Sequence, residues 1–158
     1  MTIILAGGTG LIGRALVPVL GARGHDILVL TRWAKKRVPG ATTALWDGTS
    51  VDERLLAGAH AVVNLAGESV GRRWTARRKR EILRSRVEST TALVAAIGRL
   101  APERRPRVLV NASGINYCGE TGDAESRSSS RPARPSSPPC ASSGRPRRSA
   151  RRRLARAS

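Results

Sequence analysis

Three glycines near the amino terminus, Gly7, Gly10 and Gly13, stand at G-x-x-G-x-x-G spacing within Gly7-Gly8-Thr9-Gly10-Leu11-Ile12-Gly13. A short apolar run rich in β-branched residues, Ile3 to Ala6, precedes them, and helical periodicity takes over at Leu11. Strand, tight turn and helix in that order form a cradle for a phosphate. One glycine turns the chain at no Cβ cost, and the next lets backbone N–H groups approach a pyrophosphate. The third lets the helix pack close to the strand. An ordinary βα turn can share the spacing, but flanks of the right kind on both sides favour a nucleotide. The other common phosphate loop is excluded. Gly8 to Gly13 has its spacing, yet Arg14-Ala15 stands where Lys-Ser/Thr is required.

The second apolar run, Asp26 to Arg32, reads as a parallel strand covered on both faces. In a dinucleotide fold this strand ends at the adenosine ribose, where an acid takes the 2′-hydroxyl or an arginine accommodates a 2′-phosphate. No acid is present. Arg32 stands there, with Lys35, Lys36 and Arg37 close behind. The reading favours NADP over NAD, against the alternative of a solvated basic loop. Asp47, in the turn after a third strand at Thr42 to Trp46, is placed either at the adenine edge or as a turn cap. A fourth strand, Ala59 to Leu65 with Val62, Val63 and Leu65 buried, ends in Asn64-Leu65-Ala66-Gly67. Its small residues leave room for a cofactor at the switch point of the sheet.

The elements that position these residues alternate. Ile12, Leu16, Val19 and Leu20 form one face of the first helix, ended by Gly21, Gly24 and His25, with Pro18 expected to kink or loosen it. Asp52 to Leu56 is a short helix. Arg72 to Leu100 holds a long one, whose buried face is expected at Leu83, Val87, Thr90, Val94 and Ile97. Pro102 to Pro106 breaks it, and Arg107 to Ala112 is a fifth strand. The succession predicts an α/β fold, a Rossmann-type doubly wound parallel sheet of order 3-2-1-4-5.

Several functions are disfavoured. His25 and His60, the only histidines, sit by turns, so no metal site is expected. Cys118 and Cys140 are too few for a disulfide framework and fit a reducing cytoplasm. No apolar run approaches the ~20 residues of a membrane span, and no signal peptide is read. The net charge of +18 points at first to nucleic acid, yet its distribution is uneven. All 11 acids lie at or before Glu125, while ten of the 29 basic residues lie beyond it. Arg72 to Arg80 is read either as a phosphate or nucleic-acid contact or, more ordinarily, as a solvated helix face. With one tyrosine, three tryptophans and no phenylalanine, a base-stacking platform is poorly supplied.

The chain resembles the extended short-chain dehydrogenase/reductases, within them a subgroup of NAD(P)-dependent epimerase-family proteins. The stretches that carry the resemblance are Gly7 to Gly13, Val63-Asn64-Leu65-Ala66-Gly67-Glu68, Arg73-Trp74-Thr75, Lys79 through Ser85-Arg86, and Ala112-Ser113 with Tyr117-Cys118-Gly119. The resemblance implies NADP bound across Gly7 to Gly13 (Gly7, Thr9, Gly10, Leu11, Ile12 and Gly13), Arg32 and Asn64 to Gly67; Asp47 is added only from its place after the third strand. It also implies Ser113 in the catalytic-serine position. The wider superfamily transfers its proton through a tyrosine with a lysine four residues on, which lowers the tyrosine's pKa. Tyr117 has Thr121 at that distance, and neither a Tyr-x-x-x-Lys pair nor a substrate lobe is found.

The sequence thus divides into 1–125, an incomplete NADP-binding domain, and 126–158, an Arg/Ser/Pro-rich tail expected to be disordered. The tail is read as an out-of-frame translation. With synonymous codons chosen freely, joining the third base of each codon to the first two of the next allows Ser136 to Pro146 to be re-read as Phe-Leu-Ala-Ala-Val-Cys-Val-Glu-Trp-Glu-Ala, a helix-like stretch similar to the family's. The expectation is a truncated epimerase- or reductase-like domain that binds NADP, with weak or no turnover. A non-catalytic nucleotide-sensing module and a basic nucleic-acid-binding protein are the rivals, the latter using the tail and the Arg72 to Arg86 helix, with any binding through the tail non-specific.

Overall fold

The computed structural model describes residues 1–113 apart from Ala34, Arg72 and Trp74. Five parallel strands make one sheet in the order β3-β2-β1-β4-β5: β1 Thr2–Ala6, β2 Asp26–Thr31, β3 Thr42–Leu45, β4 Ala61–Asn64 and β5 Val108–Asn111. The expected Rossmann order is therefore the observed one. β1 lies at the centre, with Ile3 beside Ile27 on one flank and Ala61 on the other.

Alternation along β1 explains the two layers. Ile4 and Ala6 face one way and join Leu30, Leu56, Val62, Leu93, Ala96 and Ile97 in a core under α2 (Ala76–Arg99). Ile3 and Leu5 face the other way and join Val17, Ile27, Val29 and Val38 under α1 (Leu11–Ala22). A central strand buried on both faces needs an unbroken apolar run, which Ile3 to Ala6 supplies.

Both helices pack on the sheet through faces that include small residues. In α1 the inward residues are Gly13 and Val17, flanked by half-buried Leu16 and Leu20, while Ile12 and Val19 are exposed. The helix runs through Pro18, which faces solvent, and closes at Arg23 and at Gly24 with φ +74°. Gly13 fixes this orientation. A Cβ there would stand 2.1 Å from the Gly8 carbonyl oxygen, so only glycine lets the helix approach the loop.

In α2 the buried residues are Ile82, Ser89, Thr90, Ala92, Leu93, Ala96 and Ile97. Thr90 and Ile97 are buried as expected, but Leu83 and Val94 are only half-buried and Val87 is exposed, so the buried face is rotated from the expected one. Small residues bring this helix close to the sheet, and Ser89 and Thr90 meet a polar group there. The amino-terminal half of α2 is different in kind. From Ala76 to Glu81 no residue is buried, and the turns are bridged by charge pairs, Arg77 to Glu81 at 2.9 Å and Arg84 to Glu88 at 3.3 Å.

The remaining differences are of length. The short helix after β3 is a single 3₁₀ turn, Glu53–Leu55, with Asp52 accepting from the Arg54 N–H as its cap. β4 begins at Ala61, with Val62 and Asn64 buried but Val63 and Leu65 only half so.

Candidate cofactor site

The carboxyl ends of β1, β2 and β4 open onto a cleft of about 720 Å³. Its floor follows from the strand ends. Gly7 N–H donates to the Leu30 carbonyl at 2.8 Å, and Leu65 N–H donates to the Ala6 carbonyl at 2.8 Å, so the glycine loop leaves the sheet between β2 and β4. Gly7 takes φ +76°, and a Cβ there would press on the Ala66 backbone at 2.7 Å. Left-handed backbone and close approach both demand glycine. The loop delivers the chain to Gly10, which caps α1 with its backbone only; no side chain caps the helix and no acid lies in its first turn. The first N–H groups of such a helix lack intrahelical partners and carry the positive end of its dipole. Gly10 lines the cleft, and a Cβ on it would meet only the Gly7 oxygen, at 3.7 Å. Nothing in the protein itself requires glycine at this position. A pyrophosphate at the helix terminus would, and the donors present fit one.

The cleft wall comes from β2, β3 and the loop after β4. Thr31, Arg32, Trp33, Trp46 and Asp47 line it on one side, and Leu65, Ala66, Gly67 and Glu68 on the other. Thr31 is buried and its Oγ1 accepts from the Trp33 N–H at 3.3 Å, turning the chain at the strand end. Of the basic group after β2, only Arg32 lines the cleft; Lys36 lies over the Trp33 ring at 5.6 Å. Asp47 is a turn cap, accepting from the Thr49 and Ser50 N–H groups at 2.8 and 3.1 Å. Those bonds, the Thr49 backbone first, hold its carboxyl below the usual carboxylate range.

Glu68 is the residue that sequence reasoning missed as part of a site. One carboxylate oxygen meets Arg32 Nη2 at 3.0 Å and the other meets Arg78 Nη2 at 2.9 Å. The hydrogen bond from Arg32, then the nearby charge of Arg78, keep its pKa below the ordinary value against the opposing effect of burial. Its backbone is fixed from α2: the Glu68 N–H donates to Ser85 Oγ at 2.9 Å, and Arg86 Nη1 donates to the Glu68 carbonyl at 3.2 Å. Arg86 lies so close to Gly67 that a Cβ there would fall 2.8 Å from its Nη1. The Ser85-Arg86 pair and the glycine before Glu68 thus serve one purpose, and their signal was a Gly-Glu at a strand end followed by an arginine-rich helix.

Other expected residues lie elsewhere. Asn64 is buried behind the wall, donating to Asn111 Oδ1 at 2.7 Å and Thr90 Oγ1 at 3.2 Å and accepting from the Ala66 N–H at 3.1 Å. Gly13 packs under the loop, and Leu11 and Ile12 are exposed on the first turn of α1; none of the three lines the cleft. Ser113 stands two residues past the end of β5, exposed and outside the cleft lining. Tyr117, Cys118, Gly119, Cys140 and the basic tail lie outside the described residues. Among the described residues no group of three or more His, Cys, Asp or Glu could hold a metal. Of the basic run Arg72 to Arg80, Arg77 and Arg78 line the cleft, Arg77 pairing with Glu81 and Arg78 with Glu68 and Glu81.

Fold and cleft together define a nucleotide-binding Rossmann domain, and comparison with known proteins gives its family. The model of the NAD dependent epimerase/dehydratase family matches residues 3–142, and the chain belongs to that family. It is 40% identical over 129 residues to the chloroplastic SDR39U1 homolog of Arabidopsis thaliana, covering 77% of this chain and 37% of that protein. To the human epimerase family protein SDR39U1 it is 38% identical over 120 residues, covering 74% and 38%. The crystal structure of human SDR39U1 (isoform 2) with NADPH superposes with TM-score 0.63 at 34% identity, over 84% of this chain and 43% of that one. A putative epimerase from Burkholderia cenocepacia shares the fold with TM-score 0.72 at 23% identity, over 98% and 50%. The chain spans about two fifths of the length of the curated relatives it matches.

Proposed function

We propose that this chain binds NADP(H) as the cofactor domain of an epimerase- or reductase-like short-chain dehydrogenase. One observation carries the reading: an uncapped helix terminus, reached through a left-handed Gly7, opens at Gly10 into the same cleft that Arg32 lines. The first-turn N–H groups would hold the pyrophosphate, Arg32 the 2′-phosphate, and Leu65 to Gly67 would leave room beside them. Kinship with a protein whose crystal structure contains NADPH supports this assignment. When bound, the nicotinamide supplies reversible hydride transfer at a carbinol or keto carbon. Ser113, set at the end of β5 next to β4, would hydrogen-bond the substrate oxygen. Without a Tyr-x-x-x-Lys pair in the sequence, turnover is expected to be weak or absent.

The loss of acids after Glu125 supports the reading of 126–158 as an out-of-frame tail; sequencing the gene decides it. We place the protein in the cytoplasm on its cysteine content, and no helix among the described residues is long and apolar enough to cross a membrane.

Trp33 and Trp46 both line the cleft, so their fluorescence provides the test. NADPH titrated into the protein should quench it saturably, with a lower Kd than NADH. A protein whose emission responds to neither nucleotide does not bind this cofactor.

A further inference from the structure

The end of β2 carries no acid, yet the fold brings one there. Glu68, from the loop after β4, places Oε1 3.0 Å from Arg32 Nη2 and lines the same cleft. We propose that Glu68 is the specificity-determining acid of the adenosine-ribose subsite, so that Arg32 and Glu68 together set a graded choice between a 2′-phosphate and a 2′-hydroxyl. The inference rests on the cofactor reading above and sharpens it.

The two partners differ in freedom. Arg32 is more than half exposed, at 54%, and is held by its contact with Glu68 at the end of a long side chain. The Glu68 side chain is 26% exposed, its second oxygen is taken by Arg78, and its backbone is held on both sides by Ser85 and Arg86. Arg78 is itself anchored, donating to the Ser69 carbonyl at 3.1 Å and pairing with Glu81 at 3.4 Å. When a 2′-phosphate arrives, Arg32 can turn to it, while the carboxylate stays. A dianion beside a fixed carboxylate is repelled, so Glu68 lowers affinity for the phosphorylated ribose. A 2′-hydroxyl instead finds an acceptor, as the acid at the end of β2 provides in NAD-binding members of this fold. Glu68 is a binding residue here, and Arg78, Ser85 and Arg86 are its positioning residues.

The test uses fragments that report the ribose alone. 2′,5′-ADP and 5′-AMP are titrated into the full chain and into Glu68→Gln, with NADPH and NADH alongside. E68Q should bind 2′,5′-ADP more tightly and 5′-AMP more weakly, raising the ratio of the two affinities on the order of tenfold, the size of one removed charge at short range. A ratio that is unchanged or lowered overturns the proposal while leaving the cofactor reading intact. A wild-type protein that binds neither NADPH nor NADH overturns both. If E68Q is unfolded at the assay temperature, Glu68→Asp decides by the same ratio, since it withdraws the charge by one methylene and should raise the ratio less. An unchanged ratio in E68D then overturns the proposal.

Discussion

Arg32 at the end of β2 and Glu68 after β4 meet through a 3.0 Å contact between Nη2 and Oε1, though 36 residues separate them in the chain. β2 and β4 are the two neighbours of β1, so the pair ties together the strand ends on either side of the glycine loop. The cleft thus has a cation and an anion in contact on its wall, the place proposed above for the ribose 2′ position.

Exchanging the cation for an acid should reverse the choice of cofactor. Arg32→Asp is expected to bind NADPH about 1.5–3 kcal/mol more weakly, the range of a charge-assisted phosphate contact. Paired titrations of NADPH and NADH check this. A wild type that prefers NADH, or a variant that keeps the wild-type preference, would show that Arg32 is not the phosphate ligand.

Two glycines of the loop should separate binding from folding. Gly10→Val has space in the protein and is expected to keep most secondary structure while losing nucleotide binding. Gly13→Ala sets a Cβ against the Gly8 carbonyl and should cost about 1–3 kcal/mol of stability or more. Circular dichroism with denaturant, run beside nucleotide titration, measures both. Unchanged affinity in Gly10→Val would reduce the loop to a structural turn.

The central strands were legible because they are buried on both faces and appear as unbroken apolar runs, Ile3 to Ala6 in β1 and Ile27 to Leu30 in β2. The helix faces were less so. Hydrophobicity favours Leu83 and Val87, whereas close packing on a sheet selects Ser89, Ala92 and Ala96, which carry little signal. The glycine loop and Arg32 were found by spacing and by strand position. Glu68 was not, since its contact with Arg32 joins segments whose proximity exists only once β1 lies between β2 and β4.

The Glu68 pair should leave a trace in the pH dependence of stability. Its arginine partners hold the carboxyl below the ordinary value of 4.5, so ionisation favours the folded chain above that pH. The contribution is lost as pH falls from there through the lowered folded value. Wild type should exceed Glu68→Gln by about 1 kcal/mol near neutrality, given the partial exposure, and the two should converge in acid. Urea melts of both proteins from pH 7 to pH 3 follow the difference; a constant gap would show that the pair contributes no ionisation-linked stability.

Asn64→Leu tests the layer behind the cleft. It strips Asn111 and Thr90 of a buried partner and should cost about 1–3 kcal/mol. Because Asn64 does not line the cleft, the ratio of NADPH to NADH affinity should stay at its wild-type value. A changed ratio would make Asn64 part of the cofactor contact.

The divided composition of α2 sets how the cleft responds to its surroundings. Its carboxyl-terminal half is seated in the core by Leu93, Ala96 and Ile97, and ionic strength hardly reaches such contacts. Its amino-terminal half, which contributes Arg77, Arg78, Arg84 and Ser85 to the cleft wall, buries only Ile82 and carries ion pairs that dissolved salt screens, Arg77 to Glu81 and Arg84 to Glu88 within the helix and Arg78 to Glu68 across to the loop after β4. Amide hydrogens from Ala76 to Arg84 should therefore exchange faster as salt is raised, while those beyond Ser89 keep their protection. One helix should thus answer to salt at the end whose Arg78 pairs with Glu68, and not at the end seated in the core.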